Sequence, residues 1–205
     1  MEGFLTLPFT DPEILTVLDE WCMYVDLDYM NTTPRDWMNE STHTFHNHLG
    51  TDFIMPIGTD LVAAAPGVVV EAMGTYPNVP SAPNWGYMDD GNRVSIDHGP
   101  ISTFKTGNNA SLLTNRDDFL TIYCHMNSVS VTVGQKVNRG DVIGESGHTG
   151  QLDGKYPHVH FQAGGFAHTR VDPFRDITGI ADNITYWTKD NDPKTFNSDA
   201  KVYFP

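Results

Sequence analysis

The sequence predicts a mainly β body, built as an antiparallel sandwich or barrel, with an N-terminal helix before it and an extension after it. Three observations carry this reading. From Phe45 onward, short apolar runs of about five to seven residues recur with strand-like texture. Turn signals stand between them, among them Pro56-Ile57-Gly58, Ala65-Pro66-Gly67, Val133-Gly134-Gln135 and Arg139-Gly140-Asp141. Before Phe45 the apolar residues instead recur at helical spacing.

The elements follow in order. Thr10-Asp11-Pro12-Glu13 combines a capping-box spacing with a proline in the first turn, and Ile14, Leu15, Leu18, Trp21, Cys22 and Val25 share one face after it. A helix of about three or four turns is therefore expected, packed on the body; residues 26–44 are polar and irregular. Strands are expected at Asp52–Ile57, Thr59–Ala64, Gly67–Ala72, Arg93–Asp97, Phe119–His125, Val129–Val133, Asp141–Ser146 and His158–Ala163. Two longer stretches interrupt the rhythm, a Pro-rich one over 74–91 and another over 100–118. Loops of that length commonly form walls or flaps of a site. The tail beyond Pro173 still carries Ile177, Ile180, Ile184, Tyr186, Trp187 and Phe196, so it is expected to wrap the body.

Composition limits the partners. The 205 residues are 39% hydrophobic and 11% aromatic, enough for a real core. Acids outnumber bases by 26 to 12, a net charge of -14, which argues against nucleic acid and against an anionic membrane surface. No apolar run is long enough to span a bilayer, and no signal peptide is visible after Met1. Cys22 and Cys124 are read as two separate thiols rather than a disulfide.

The nine histidines carry the chemistry. In an extended His48-Leu49-Gly50-Thr51-Asp52, residues 48, 50 and 52 share a face, and Gly50 leaves room between a nitrogen and a hard oxygen donor, a pairing that suits Zn²⁺. In His158-Val159-His160-Phe161, alternation puts both imidazoles on one face and the apolar residues on the other. Two adjacent imidazoles are hard to account for as packing, since both rings need partners. His125 ends a strand-like run, with Cys124 expected to face away from it. One Asp and four His are enough for three metal ligands and two imidazoles to spare, the open coordination of a hydrolytic metal site.

The order of these motifs resembles the lysostaphin-type (LytM-like) peptidases, metallopeptidase family 23. His48-x-Gly-x-Asp52 comes first, then Tyr123-Cys124-His125, Val133 to Gly144, Gly147-His148-Thr149-Gly150, and finally His158-Val159-His160. The resemblance spans about Phe45 to Pro173 and divides the chain into a helical extension over 1–44, a peptidase core over 45–175 and a C-terminal extension over 176–205. It implies a compact antiparallel β fold and a zinc endopeptidase acting on the cross-bridges or stem peptides of bacterial peptidoglycan. Carried over by position, His48, Asp52 and His160 would hold one Zn²⁺, and His125 and His158 would face the attacking water and the scissile carbonyl. His46, His148, Trp85 and Tyr87 are candidates for contacts with substrate or with the ligands, whereas His98 is read as structural and His168 as surface.

The departures from the family pattern are a longer link from Gly150 to His158, the long loops, and Gln162 where an acid often stands. None is expected to touch a ligand. Two rival readings keep the architecture and change the function: a catalytically degenerate LytM-type binding or activator module, and a phosphocarrier domain of related β fold. The acidic surface would be repelled by wall polyanions, which suggests a place in the cell envelope or outside the cell, with delivery by a phage tail or a larger targeted hydrolase.

Overall fold

Alternating apolar and polar side chains become ten strands, β1 to β10, in the computed structural model, which describes residues 5–11, 14, 23, 33–34, 41–42, 44, 48–77, 90–100, 118–150, 156–165, 170–171, 173 and 187. Seven form one antiparallel sheet in the order β1 (Thr51–Ile54), β9 (His158–Gly165), β5 (Asp118–Cys124), β4 (Arg93–Pro100), β3 (Gly67–Met73) and β7 (Lys136–Val137), with β10 (Arg170–Val171) also on β9. Three form a second sheet, in which β8 (Val142–Glu145) lies between β2 (Asp60–Val62) and β6 (Ser128–Val129). The mainly β, antiparallel class expected from the sequence is the one observed. The two-residue strands β7 and β10 were not expected, and β6 stops at Val129 rather than running to Val133. The helix after Thr10 lies outside the described residues, except that Ile14 is buried in the core.

One apolar cluster joins the two sheets. Leu61 and Ile143 from the smaller sheet meet Val69, Ile96, Tyr123, Val159 and Phe161 from the larger one. The fully buried Tyr123 hydroxyl accepts the Ala64 N–H at 2.8 Å, so a main-chain donor beyond β2 is satisfied by a side chain of β5. Leu5, Leu7 and Phe9, for which the sequence offered no element, are buried in this cluster. Their backbone lies along β2: Thr6 N–H reaches Ala64 O, and Val62 N–H reaches Pro8 O.

Beneath β1 and β9 the core is aromatic. Phe161 stacks on Trp187 with ring centroids 5.9 Å apart and meets Tyr123 edge-on at 5.2 Å, and Phe53 meets Phe9 edge-on at 5.4 Å. Trp187, the one residue described beyond Pro173, is fully buried, so the tail contributes to the core. Trp187→Ala is expected to destabilise the protein by about 3–5 kcal/mol in denaturant unfolding, the usual loss for a large buried ring. A loss below about 1 kcal/mol would show that the tail does not hold the aromatic layer.

Candidate metal and catalytic site

Antiparallel register sets the first three donors. Asp52 on β1 lies directly across from His160 on β9, and Ile54 lies across from His158. Cross-strand partners share a face, so Asp52 and His160 project together while Phe53, Val159 and Phe161 enter the core on the other side. His48 precedes β1 and reaches the same spot. Its Nε2 lies 3.2 Å from Asp52 Oδ1 and 3.2 Å from His160 Nδ1, and His160 Nδ1 lies 2.7 Å from Asp52 Oδ1. All three residues are buried. Among the described residues they form a group whose donor atoms could hold one metal ion.

The triangle fits such an ion. Tetrahedral bonds of about 2.0–2.1 Å separate adjacent ligand atoms by roughly 3.3 Å, close to two of the three observed edges. The third edge has the length of a hydrogen bond and shortens as a shared proton would require. Two imidazoles and one carboxylate are also a donor set of zinc-like character.

Two further imidazoles stand beside the triangle. His158 Nε2 is 3.7 Å from Asp52 Oδ1, and the His125 ring lies 4.8 Å from that of His158 and 6.0 Å from that of His160, centroid to centroid. Each is held by a main-chain carbonyl at Nδ1: Thr149 O at 2.8 Å for His125 and Tyr156 O at 3.0 Å for His158. A carbonyl can only accept, so Nδ1 carries the proton in both rings, and both Nε2 atoms are left as acceptors.

His125 reaches the site by a route that strand alternation does not give. Cys124 pairs with His160 and so shares the face of the ligands, which would send His125 to the core face beside Tyr123. Instead β5 ends at Cys124 and His125 takes φ 62°, the left-handed region. That reversal turns the imidazole back toward the ligands. Cys124, expected to face away from His125, is a free, buried thiol whose cross-strand partner is His160, so it lies on the face of the donor triangle.

The electrostatics follow from burial. Desolvation pushes the Asp52 carboxyl up, but His48 and His160, through charge and hydrogen bonds, together hold it well below the usual carboxylate range. Burial lowers His125 to about 3, helped by His158 and His160 and opposed by the Thr149 carbonyl and Asp52. At neutral pH His125 is therefore an uncharged acceptor.

Two positions correct the sequence reading. Gln162 does touch one of the expected ligands: its amide nitrogen lies 2.9 Å from His160 Nε2. With Nδ1–H of His160 donating to Asp52 Oδ1, Nε2 is the acceptor of the ring and the Gln162 amide nitrogen donates to it. Gly50 leaves no empty space either, because a Cβ there would stand 2.5 Å from Phe161 O and 2.8 Å from His160 Nε2. It permits the close approach of β9. His98 is structural as read, bonding Pro66 O and Thr121 Oγ1 at 2.8 Å each. His148 is buried in the turn that carries Thr149. His46, Trp85, Tyr87 and His168 lie outside the described residues.

The fold has counterparts among known proteins. A zinc-containing peptidase from Vibrio cholerae shares the fold, with a TM-score of 0.50 at 23% identity over 83% of this chain and 39% of that one. The peptidoglycan DD-endopeptidase ShyA of Vibrio cholerae is 37% identical over 56% of this chain and 20% of its own length. The glycyl-glycine endopeptidase ALE-1 of Staphylococcus capitis is 30% identical over 73% of this chain and 34% of its own. This chain thus spans between about a fifth and a third of those curated relatives. The profile of Peptidase family M23 matches residues 46–173, and the chain belongs to that family. The phosphocarrier reading is thereby set aside.

Gly50→Ala is expected to cost about 1–3 kcal/mol of stability, since neither the Phe161 carbonyl nor the His160 ring can retreat freely. It should also weaken metal uptake, measured by competition with a chelating dye. Unchanged stability and uptake would contradict the close packing of β1 on β9.

Proposed function

We propose that the chain is a zinc-dependent endopeptidase that hydrolyses peptide bonds of bacterial peptidoglycan. One observation carries the reading: three donor atoms converge at 2.7–3.2 Å while two acceptor imidazoles, each held by a backbone carbonyl, stand beside them. The name of ShyA, a peptidoglycan DD-endopeptidase, supports peptidoglycan as the substrate class, and ALE-1, a glycyl-glycine endopeptidase by name, shows that the relatives do not share one bond. Residues 45–175 are the core in this reading. From the extensions 1–44 and 176–205, Leu5, Phe9 and Trp187 are buried in its core.

His48, Asp52 and His160 would hold the ion, with the Gln162 amide against the outer nitrogen of His160. When bound, zinc supplies Lewis acidity, polarising a carbonyl and making a water more acidic. The chain's own residues then handle the protons. Nε2 of His125 or His158 accepts a proton as water attacks the peptide carbon, and the imidazolium so formed returns it to the departing amine. While neutral, neither Nε2 carries a hydrogen, so the developing oxyanion finds a donor among these rings only after one has been protonated.

The test is digestion of purified cell walls of several chemotypes, with and without a chelator, followed by mass analysis of released peptides. Zinc-dependent release of peptides with new amino termini is expected; release that the chelator leaves intact would refute the reading. His48→Ala and His160→Ala should lose stoichiometric zinc. His125→Ala should keep zinc and lose about 10²–10⁴-fold in turnover.

The acidic surface bears on delivery. We take the net charge of -14 to oppose approach to anionic walls, which favours a virion-associated or otherwise targeted enzyme in the envelope or outside the cell. Lytic activity on polyanion-bearing walls should then rise with moderate salt, and a monotonic fall would contradict the repulsion.

A further inference from the structure

The strained turn at His125 is gripped from both ends by a buried polar clasp. Its own N–H donates to Asp90 O at 2.8 Å, and the Met126 N–H donates to Asn92 O at 3.0 Å. Asn92 is fully buried and uses every polar group it has. Its N–H donates to Thr149 Oγ1 at 2.9 Å, its Oδ1 accepts the Tyr76 N–H at 2.8 Å, and its Nδ2 donates to Tyr76 O at 2.9 Å and Met126 O at 3.0 Å. Thr149 is the other jaw. Its hydroxyl takes the Asn92 N–H and gives its own proton to Met126 O at 2.9 Å, and its carbonyl holds His125 Nδ1. Gly91, at φ 62°, lets the two jaws meet, since a Cβ there would stand 2.5 Å from the Thr149 carbonyl.

We propose that Asn92 and Thr149 are positioning residues for catalysis: their side chains fix the Thr149 carbonyl that keeps the His125 proton on Nδ1 and leaves Nε2 as an acceptor facing the ligands. The proposal rests on the role given to His125 above. Its physical basis is that a neutral imidazole divides between two tautomers, and only a fixed partner at one nitrogen selects between them. The left-handed backbone at His125 requires such support as well, because an outlier of that kind persists only where its surroundings over-determine it. The Thr149 hydroxyl touches none of the reacting groups. It acts through the peptide it anchors.

The test combines a spectroscopic readout on the metal-free protein with turnover. In ¹⁵N-histidine-labelled protein, the His125 signals, assigned by their loss in His125→Ala, are expected to show a protonated Nδ1 and an unprotonated Nε2. Thr149→Val removes the hydroxyl at nearly constant volume, and it should give mixed-tautomer shifts. Turnover on purified peptidoglycan should fall on the order of 10- to 100-fold, the scale of a small misplacement of a reacting group, while zinc uptake is retained. Thr149→Ser should restore both signals and most of the turnover. Gly91→Ala, which displaces the same carbonyl without deleting a hydrogen bond, should reproduce the Val phenotype and serves where the Val variant folds poorly. Wild-type tautomer signals and turnover in both Thr149→Val and Gly91→Ala would overturn the positioning role. Undiminished turnover in His125→Ala would instead overturn the role of His125, and this proposal with it.

Discussion

The pairing of Asp52 with His160 across β1 and β9 is the constraint on which the rest of the site depends. Because side chains alternate with period two, a slip of β1 by one residue would send Asp52 into the core, away from His160, and Phe53 out to the site. The register is therefore selected twice, by aromatic rings that must be buried and by a carboxylate and an imidazole that must meet. The two demands agree: Phe161 stacks on Trp187 beneath the sheet while His160 contacts Asp52 above it. Even the outer edge of β1 is satisfied at this point, since the Asp52 N–H donates to Met23 O at 2.8 Å.

The remaining parts of the site are placed by means other than strand alternation. His48 comes from the segment entering β1, and Gly50 lets β9 lie close enough for the imidazoles to meet. His125 needs a local reversal of the chain, which ordinary sheet geometry does not supply. Left-handed backbone costs on the order of 1–2 kcal/mol for a residue with a Cβ. The buried Asn92 holds the turn through Met126, accepting its N–H and donating Nδ2–H to its carbonyl. The cost of the strain and the gain from satisfied polar groups thus fall on the same few residues, and neither feature would persist without the other.

This division decides what the sequence could reveal. The pair at His158 and His160 was legible because a strand has one period and both residues obey it. The meeting of His48 with Asp52 was expected from the same alternation, although His48 stands before β1 rather than on it. Most strands could be read from apolar runs and turn residues, but β7 and β10, at two residues each, are too short to carry a pattern. Leu5, Leu7 and Phe9 belong to the core through long-range packing that no local periodicity announces. The orientation of His125 was not legible, because a single φ value inverted the rule that located its neighbours. Asn92 was missed for a different reason. One Asn between Gly91 and Arg93 resembles any turn residue until its partners, up to 57 positions away, are known. Gln162 stood out only as a departure from a family pattern, and its contact with His160 came from the same alternation that put residues 158, 160 and 162 on one face.

The chain's excess of acid and its site also act over different ranges. Among the described residues, Asp52 is the acid whose carboxylate meets the imidazoles, and it is buried among them. The remaining acids form a field that decays over about 10 Å at 0.1 M salt and opposes the approach of any polyanion. Inside the site that field is secondary, because buried groups interact at contact distance with little solvent between them. A dication held by one carboxylate and two neutral imidazoles would retain positive charge, so the centre and the surface would differ in sign. An uncharged peptide link would meet the attraction of the centre without the repulsion felt by its polymer. Under the proposed function, the chemistry is set by register, burial and one strained turn, whereas encounter is set by ionic conditions and by whatever brings the chain to the wall.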